Sequence, residues 1–572
     1  MKVEKTIVNR KFGFLDIIIF LAIAAVLYLA ISPGIRGNVS TSGIQVSTDI
    51  RNLPMYVLKS VGRMTGAYIL SLIFTLVYGY IAAHNERAEK IMVPVLDILQ
   101  SIPVLSFLPA VVLGLIALFP NNNVGLELSC IILIFTGQAW NMTFSFYHSI
   151  KILPKDLKEA SSVFGLNKWQ NFKKLEVPFS IIGLVWNSMM SWAGGWFFLM
   201  ACEMFTLKDK DFRLPGIGSF LQTAANEGNT RALIWGIASL ILVIVLLDLL
   251  FWKPVTVWAD KFKIELTESG EAPRSFVLTL LRRSVIVEFL LEKIFEPFAE
   301  KINNFIDKFV VKLSDREETK GKGIGFTVKW IFRILICGLL LYSGFNAFKL
   351  LMQLSKDEWE RILPAVGYSF LRVIAAQIIA LIWTVPVGVA IGMNKKIANI
   401  LQPIIQVVAS IPATALFPVI LVFFMNELGG LNVASVLLML MGTQWYILFN
   451  VIAGAMAIPE DLKAAAKTFG VTGWKKWKIL ILPSIFPYLL TGMVTATGGC
   501  WNASIVSEYV NFGGKTVSTI GLGALISEAT EKGNYPLLLI GTLVMCIVVV
   551  GVNKTLWKRL YTLSEEKFKI EL

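Results

Sequence analysis

The sequence predicts an all-α integral membrane protein whose twelve transmembrane helices form two parallel six-helix repeats. Three observations carry that prediction: a composition too apolar and too poor in charge for a soluble chain, apolar runs long enough to cross a bilayer, and a block of residues that recurs at a fixed offset. Of 572 residues, 55% are hydrophobic and 16% charged. A soluble chain would carry about a quarter charged residues. Mean hydropathy is strongly positive.

A helix needs about 20 mostly apolar residues to cross the hydrocarbon core. Runs of that length fall at about 12–33, 56–83, 91–118, 126–150, 177–203 and 232–252, then at about 327–350, 364–392, 400–425, 432–456, 481–507 and 535–555. The first, broken only by Asp16, is too long for a cleaved secretion signal and lacks a small-residue cleavage site, so it reads as a retained span. Pro103 and Pro109 in span three, with Pro412 and Pro418 in its repeat, predict a break or kink that frees carbonyls for a pathway.

Basic residues orient the spans. Lys2, Lys5, Arg10 and Lys11 precede span one, Arg87 and Lys90 follow span two, and Lys151, Lys155, Lys158, Lys168, Lys173 and Lys174 follow span four. All three segments lie on one side, which the positive-inside rule assigns to the cytoplasm together with the N-terminus. The same rule accounts for the net charge of +14 without a nucleic-acid partner. Five Cys (130, 202, 337, 500, 546) without a CxxC pair, and only two His, leave no metal site to build.

The repeat is read residue by residue. Gly165 and Gly470, Trp169 and Trp474, Pro178 and Pro483, Trp196 and Trp501, and Glu203 and Glu508 all stand 305 residues apart. Ser101-Ile102-Pro103 and Ser410-Ile411-Pro412 stand 309 apart, and both halves end in KFKIEL. An even number of spans per half makes the repeat parallel, with a pseudo-two-fold axis along the membrane normal and a pathway on it. The boundaries are then 1–260 for the first repeat, 261–326 for a cytoplasmic linker and 327–572 for the second repeat. Within the linker, apolar residues from Leu291 to Val310 recur at helical spacing. They suit an amphipathic helix on the membrane or on a partner, or equally a spacer.

The loops between spans four and five carry the motif. One reads Glu159-Ala160-Ser161, three residues, Gly165, nine residues, Leu175-Glu176-Val177-Pro178. The other reads Ala464-Ala465-Ala466, three residues, Gly470, nine residues, Leu480-Ile481-Leu482-Pro483. This resembles the EAA loop of binding-protein-dependent ABC importer permeases, with departures at Ala464 (for Glu) and Val177 (for Leu). More narrowly the chain resembles the nitrate/sulfonate/taurine group, on Ser-Ile-Pro with a later Pro, on the late Trp–Glu pair of span five, and on the Gly-x-Gly at Gly216/Gly218 and Gly521/Gly523. Fusion of two halves in one chain departs from that group. The resemblance implies the type I importer permease fold. It implies coupling helices at about 155–172 and 460–477, with Glu159, Ala160, Gly165, Ala464, Ala465 and Gly470 contacting the ATPase. It also implies two cytosolic ATP-binding-cassette ATPases that hold ATP and Mg, an extracytoplasmic substrate-binding protein, and a small, anionic solute.

Asp156 or Asp461 is expected to cap the short helix, and Gly165 and Gly470 to end it in the left-handed conformation. Gly513-Gly514-Lys515-Thr516 is no nucleotide loop, because position 509 is Tyr. Arg63 and Arg372, in span two of each half, either attract an entering anion or snorkel outward. Glu203 and Glu508 pair with those arginines, form an outer gate, or sit at the interface. Trp140 and Trp445 line the axis or serve as packing anchors. With Pro103 and Pro412, these are the candidate pathway residues. No catalytic set is found. An ion-gradient transporter is the alternative. It requires carboxylates buried at midplane, of which Asp97, opposite Gln406 in the repeat, is the clearest.

Overall fold

In a computed structural model of the chain, the described residues are 46–119, 123–207, 210–262, 341–427, 430–512 and 515–557, with a few isolated positions between. The first predicted span and the amphipathic linker pattern lie outside them. The span predicted at 327–350 is described from residue 341, where it is helical.

The first half holds α1 (Leu53–His84), α2 (Glu86–Ser101), α3 (Leu108–Leu118), α4 (Val124–Lys151), α5 (Lys155–Val163) and α6 (Val177–Cys202). A hairpin of β1 (Met204–Leu207) and β2 (Lys210–Arg213) follows, then α7 (Ile217–Asn226) and α8 (Thr230–Leu247). The second half repeats the order as α9 (Lys356–Gly392), α10 (Lys395–Ser410), α11 (Ala413–Glu427), α12 (Gly430–Met456), α13 (Glu460–Thr468) and α14 (Leu482–Ser507). It ends with β3 (Tyr509–Phe512), β4 (Lys515–Ser518), α15 (Leu522–Lys532) and α16 (Tyr535–Val552). Both hairpins are antiparallel, with Met204 opposite Arg213 and Tyr509 opposite Ser518. The sequence did not foretell these hairpins, whose short strands lie between spans. Lys515 and Thr516 fall in one of them, not at the helix N-terminus that a phosphate-binding loop requires.

Among the described residues, seven helices are long and apolar enough to cross a membrane, or nine if each bent pair counts as one span. Helix α6 is 26 residues long but falls outside that count.

Local signals set the boundaries. Asn85 caps α2 by accepting from the Arg87 and Ala88 amides, and Asn394 caps α10 in the same way. Ser355 and Glu358 form a capping box at α9. The predicted break in span three is present in both halves. Residues 86–100 and 104–118 meet at 88°, and residues 396–410 and 413–421 at 71°. A residue before proline is driven out of the helical region, and Ile102 (φ −78°, ψ 125°) and Ile411 (φ −72°, ψ 117°) are both extended. Pro109 sits harmlessly in the first turn of α3, and Pro418 lies within α11. Pro103 O accepts from the Ser106 amide at 3.1 Å and hydroxyl at 2.7 Å, and Pro412 O from the Ala415 amide at 3.0 Å.

Each half is built on three helices, α1–α4–α6 and α9–α12–α14, which approach through small residues as membrane helices do. A Cβ added at Gly492 of α14 would lie 2.9 Å from Ile447 Cα and from Tyr446 O of α12. Gly492→Leu is therefore expected to destabilise the protein by about 1–3 kcal/mol, measured as a lowered unfolding temperature in detergent. Gly498→Ala, which faces open space, is the unaffected control.

Candidate functional site

The motif loops form two exposed knobs at the lysine-rich end. Helices α5 and α13 begin after Pro154 (ψ 139°) and Pro459 (ψ 140°), and neither has a side-chain cap. The expected capping by Asp156 or Asp461 is thus not what the structure shows. Proline already sets the entry, and both aspartates lie inside the helix. Asp156 stands in the first turn, where negative charge suits the helix dipole.

Both knobs end identically. The Gly165 amide donates to Ser162 O (3.1 Å) and the Leu166 amide to Ser161 O (3.2 Å); Gly470 donates to Lys467 O (3.1 Å) and Val471 to Ala466 O (2.8 Å). This is the Schellman arrangement. The glycines have φ of +62° and +64°. A Cβ on either would meet nothing within 4 Å, so backbone conformation alone selects glycine. Glu159, Ala160 and Ala464 are exposed and Ala465 half-buried.

The residues that composition alone did not single out are apolar. Phe164 and Phe469 precede the glycines and are 80% and 81% exposed, although they lie in a polar loop beyond the spans. Their signal was the Phe-Gly pair recurring in both loops. After each knob the chain enters span five through a π-helical turn, Phe172–Glu176 or Trp477–Ile481. Pro178 and Pro483 follow in the first helical turn.

At the opposite end, the predicted arginines and glutamates come together in a buried clamp. Arg63 Nη1 donates to Glu203 Oε1 at 2.6 Å, while its Nε and Nη2 grip both oxygens of Glu127 at 2.6 and 2.7 Å. Ser60 Oγ donates to Glu203 Oε1 (2.6 Å), and the Gly218 amide to Glu203 Oε2 (2.7 Å). The second half repeats this. Arg372 Nη1 donates to Glu508 Oε1 (2.8 Å), Ser369 Oγ to the same oxygen (2.7 Å), and the Gly523 amide to Glu508 Oε2 (2.9 Å). Asn432 stands where Glu127 does and accepts from Arg372 Nη2 at 2.6 Å.

The clamp explains the Gly-x-Gly. A Cβ on Gly216 or Gly521 would fall 2.2 or 2.1 Å from the glutamate carboxylate. Space, not backbone conformation, excludes other residues there, since both glycines are extended. Arg63 is 4% exposed and Arg372 is also buried. Their guanidiniums are held inside each half, and neither the arginines nor Glu203 and Glu508 line a described cavity between the halves. Ser60 and Ser369, at the same offset as the arginines, were legible as partners only through the repeat.

Between the halves lies a cavity of about 90 Å³, walled by Gly194, Phe197, Trp445, Tyr446 and Asn502, with Pro412 at its edge and no charged residue. Trp445 lines it, whereas Trp140 packs edge-on against Phe74 instead. Pro103 is buried at the break, where the Leu105 amide donates to Asn502 Oδ1 (3.3 Å) across the halves. A second cavity of about 480 Å³ opens toward the clamp end and is lined by Gln222, Asn226, Asn511 and Glu531. Asp97 is exposed, and its repeat partner Gln406 donates to Asp248 Oδ1 at 3.4 Å. The described residues hold no group of three or more His, Cys, Asp or Glu able to bind a metal.

Residues 75–251 and 384–570 each match the family described as binding-protein-dependent transport system inner membrane component. Curated relatives include the nitrate import permease protein NrtB of Leptolyngbya laminosa, 25% identical over 37% of this chain and 76% of its own length. The bicarbonate transport system permease protein CmpB of Synechococcus elongatus is 28% identical over 32% of this chain and 61% of its own length. The taurine transport system permease protein TauC of Escherichia coli is 26% identical over 32% and 62%. For the last two, the matched stretch spans less than two thirds of the relative.

A charge buried and stripped of its partner is expensive. Arg372→Met is expected to destabilise the protein by about 3–5 kcal/mol, because the buried Glu508 carboxylate loses its only cation among the described contacts. Arg372→Met with Glu508→Leu, which removes both charges, is expected to be milder. Thermal unfolding of the two purified variants checks the order.

Proposed function

The chain belongs to the binding-protein-dependent transport inner membrane component family, whose domain it carries twice, and from that premise we propose how it works as an importer permease. Two cytosolic ATP-binding-cassette ATPases, which hold ATP and Mg, each grip one knob. An extracytoplasmic binding protein delivers the solute to the clamp end. Closure of the ATPases then rocks the two halves about their shared axis, giving alternating access. The lysine-rich end is cytoplasmic, as is the N-terminus, in the cytoplasmic (inner) membrane. The solute is a small anion, in keeping with the names of the relatives. The first and second repeats span 1–260 and 327–572, joined by a cytoplasmic linker.

The observation that carries this reading is the pair of knobs. Each is a short water-facing helix of small residues, ended by a left-handed glycine and tipped by an exposed phenylalanine, at equivalent positions of both halves. An amphipathic helix with an apolar anchor fits a groove on another protein. Aromatic anchors commonly carry most of the energy of such contacts. Glu159, Ala160, Ala464 and Ala465 form the contact face, and Gly165 and Gly470 set its exit. Along the axis, Pro412 and Trp445 meet the solute, while Arg63–Glu203 and Arg372–Glu508 hold the outer end together. Pro103 and Trp140 shape the pathway from behind.

Co-purification with the ATPase subunits tests this. Wild type is expected to co-elute with a cytosolic ATPase. Phe164→Asp with Phe469→Asp is expected to lose it while the membrane part still folds. Gly165→Val and Gly470→Val, which strain the left-handed turn, are expected to leave hydrolysis uncoupled from uptake. Transport that persists with no ATPase bound would sink the reading.

A further inference from the structure

The two halves are tied at their cytoplasmic ends by different chemistry. In the first half, α1 ends at His84, whose Nε2 lies 2.8 Å from Glu176 Oε1 and whose Nδ1 lies 2.9 Å from the Tyr80 carbonyl oxygen. Glu176 is 3% exposed and closes the π-helical turn that joins the first knob to α6. Asn171 Nδ2 donates to the same carboxylate oxygen at 3.1 Å. The Phe172 ring of that turn meets Tyr80 edge-on at 5.3 Å. Span two and the exit of the first knob therefore touch through this pair.

The repeat places Met393 and Ile481 at the positions of His84 and Glu176. Ile481 belongs to an apolar cluster, and Met393 packs against it. A neighbouring tie follows the same pattern. Lys151 Nζ donates to Glu89 at 2.7 Å and Tyr147 also donates to it. Ala398, Ile452 and Met456 occupy those positions in the second half. One station is held by hydrogen bonds and charge, the other by apolar packing.

The histidine geometry sets a proton count. Both ring nitrogens face acceptors, a backbone carbonyl and a carboxylate. A neutral imidazole donates from one nitrogen only. Both contacts are therefore donated together only when the ring carries both of its protons. Lys158 on the first knob is the cation whose charge opposes protonation of the ring, and Asn171 and Tyr80 supply neutral groups. When one ring proton leaves, one ring lone pair is set against an oxygen and the other nitrogen keeps a single uncharged donor, so the contact weakens. The tie is thus strongest at lower pH and weakens as pH rises.

We propose that Glu176 and His84 are positioning residues forming a proton-held strut between the first coupling helix and span two, so that the two ATPase stations are inequivalent and the first loosens as cytoplasmic pH rises. This rests on the reading of the knobs as coupling helices.

The test uses the full chain with its ATPase subunits in nanodiscs, with ATP hydrolysis followed against pH relative to the ATPases alone. In wild type, the stimulation conferred by the chain is expected to fall about threefold between about pH 6.5 and about pH 8.5, across the histidine range. His84→Met with Glu176→Ile, which installs the pair of the second half, is expected to flatten that profile. Glu176→Gln flattens it by a gentler route, since the amide donates to a neutral ring whose other nitrogen keeps the Tyr80 carbonyl; it serves if the double variant fails to fold. Variant profiles that follow the wild-type curve, or a wild-type curve that is already flat, overturn the strut. Failure of wild type to co-elute with any ATPase is seen at every pH, and overturns the knob assignment and the strut together.

Discussion

The interior of a bilayer offers no water, so each polar group placed there must find its partner within the chain. Helices satisfy most of the backbone. Hydroxyls within spans turn back onto their own helix, as Ser71 does to Ala67 O and Thr143 to Ala139 O. Where proline breaks span three, the amide freed at Leu105 is taken by Asn502 of the other half. The charges follow the same constraint. Arg63 and Arg372 are each surrounded by acceptors, and Glu203 and Glu508 each receive a guanidinium, a hydroxyl and a backbone amide. These ties fix α7 and α15 against spans two and five, and so define the end that faces away from the lysine-rich loops.

Duplication and divergence act on different layers of the molecule. The halves agree in what sterics dictate: positive-φ glycines, prolines at the breaks, asparagine caps, π-helical turns, and glycines facing the clamp carboxylates. They differ in how equivalent contacts are closed. Glu127 meets Arg63 where Asn432 meets Arg372, so one clamp carries an extra carboxylate. His84 with Glu176 stands opposite Met393 and Ile481 in an apolar cluster, and Glu89 with Lys151 stands opposite Ala398 and Met456. A fused chain is free to diverge in this way, because each half meets the other in a fixed arrangement and need not form a symmetric dimer.

What could be read in the sequence was what depends on local pattern. Spans two to six of each half, the breaks before Pro103 and Pro412, and the glycine-ended knobs follow from hydropathy, proline chemistry and spacing. What could not be read depends on partners distant in sequence. That Glu203 accepts from Arg63, 140 residues before it, was one of three readings the sequence left open, and no local pattern chose among them. Nothing near Gly216 announces that a carboxylate occupies the space its Cβ would need. The capping role expected of Asp156 failed for a local reason, since Pro154 already fixes the helix entry. The exposed phenylalanines escaped notice because hydropathy treats them as burial candidates; only their place beyond the spans makes them surface anchors.

One helix connects these features. Helix α6 follows directly from the π-helical turn that leaves the first knob, contributes Gly194 and Phe197 to the wall of the cavity between the halves, and ends at Glu203 in the clamp. At 26 residues it spans about 39 Å at 1.5 Å per residue. In the second half α14 leaves its knob through an equivalent turn, presents Asn502 to the same cavity and ends at Glu508. A helix of this kind does not shorten under load, so a displacement of the knob reaches the cavity as a tilt. The clamp fixes the far end, because Glu203 is bound to α1 through Ser60 and Arg63 and to α7 through the Gly218 amide. With one end held at the clamp and the other ending in the exposed knob, the motion available to each helix is rotation about the clamp. The amplitude of such a rotation grows with distance from the clamp, toward the lysine-rich end that carries the knobs.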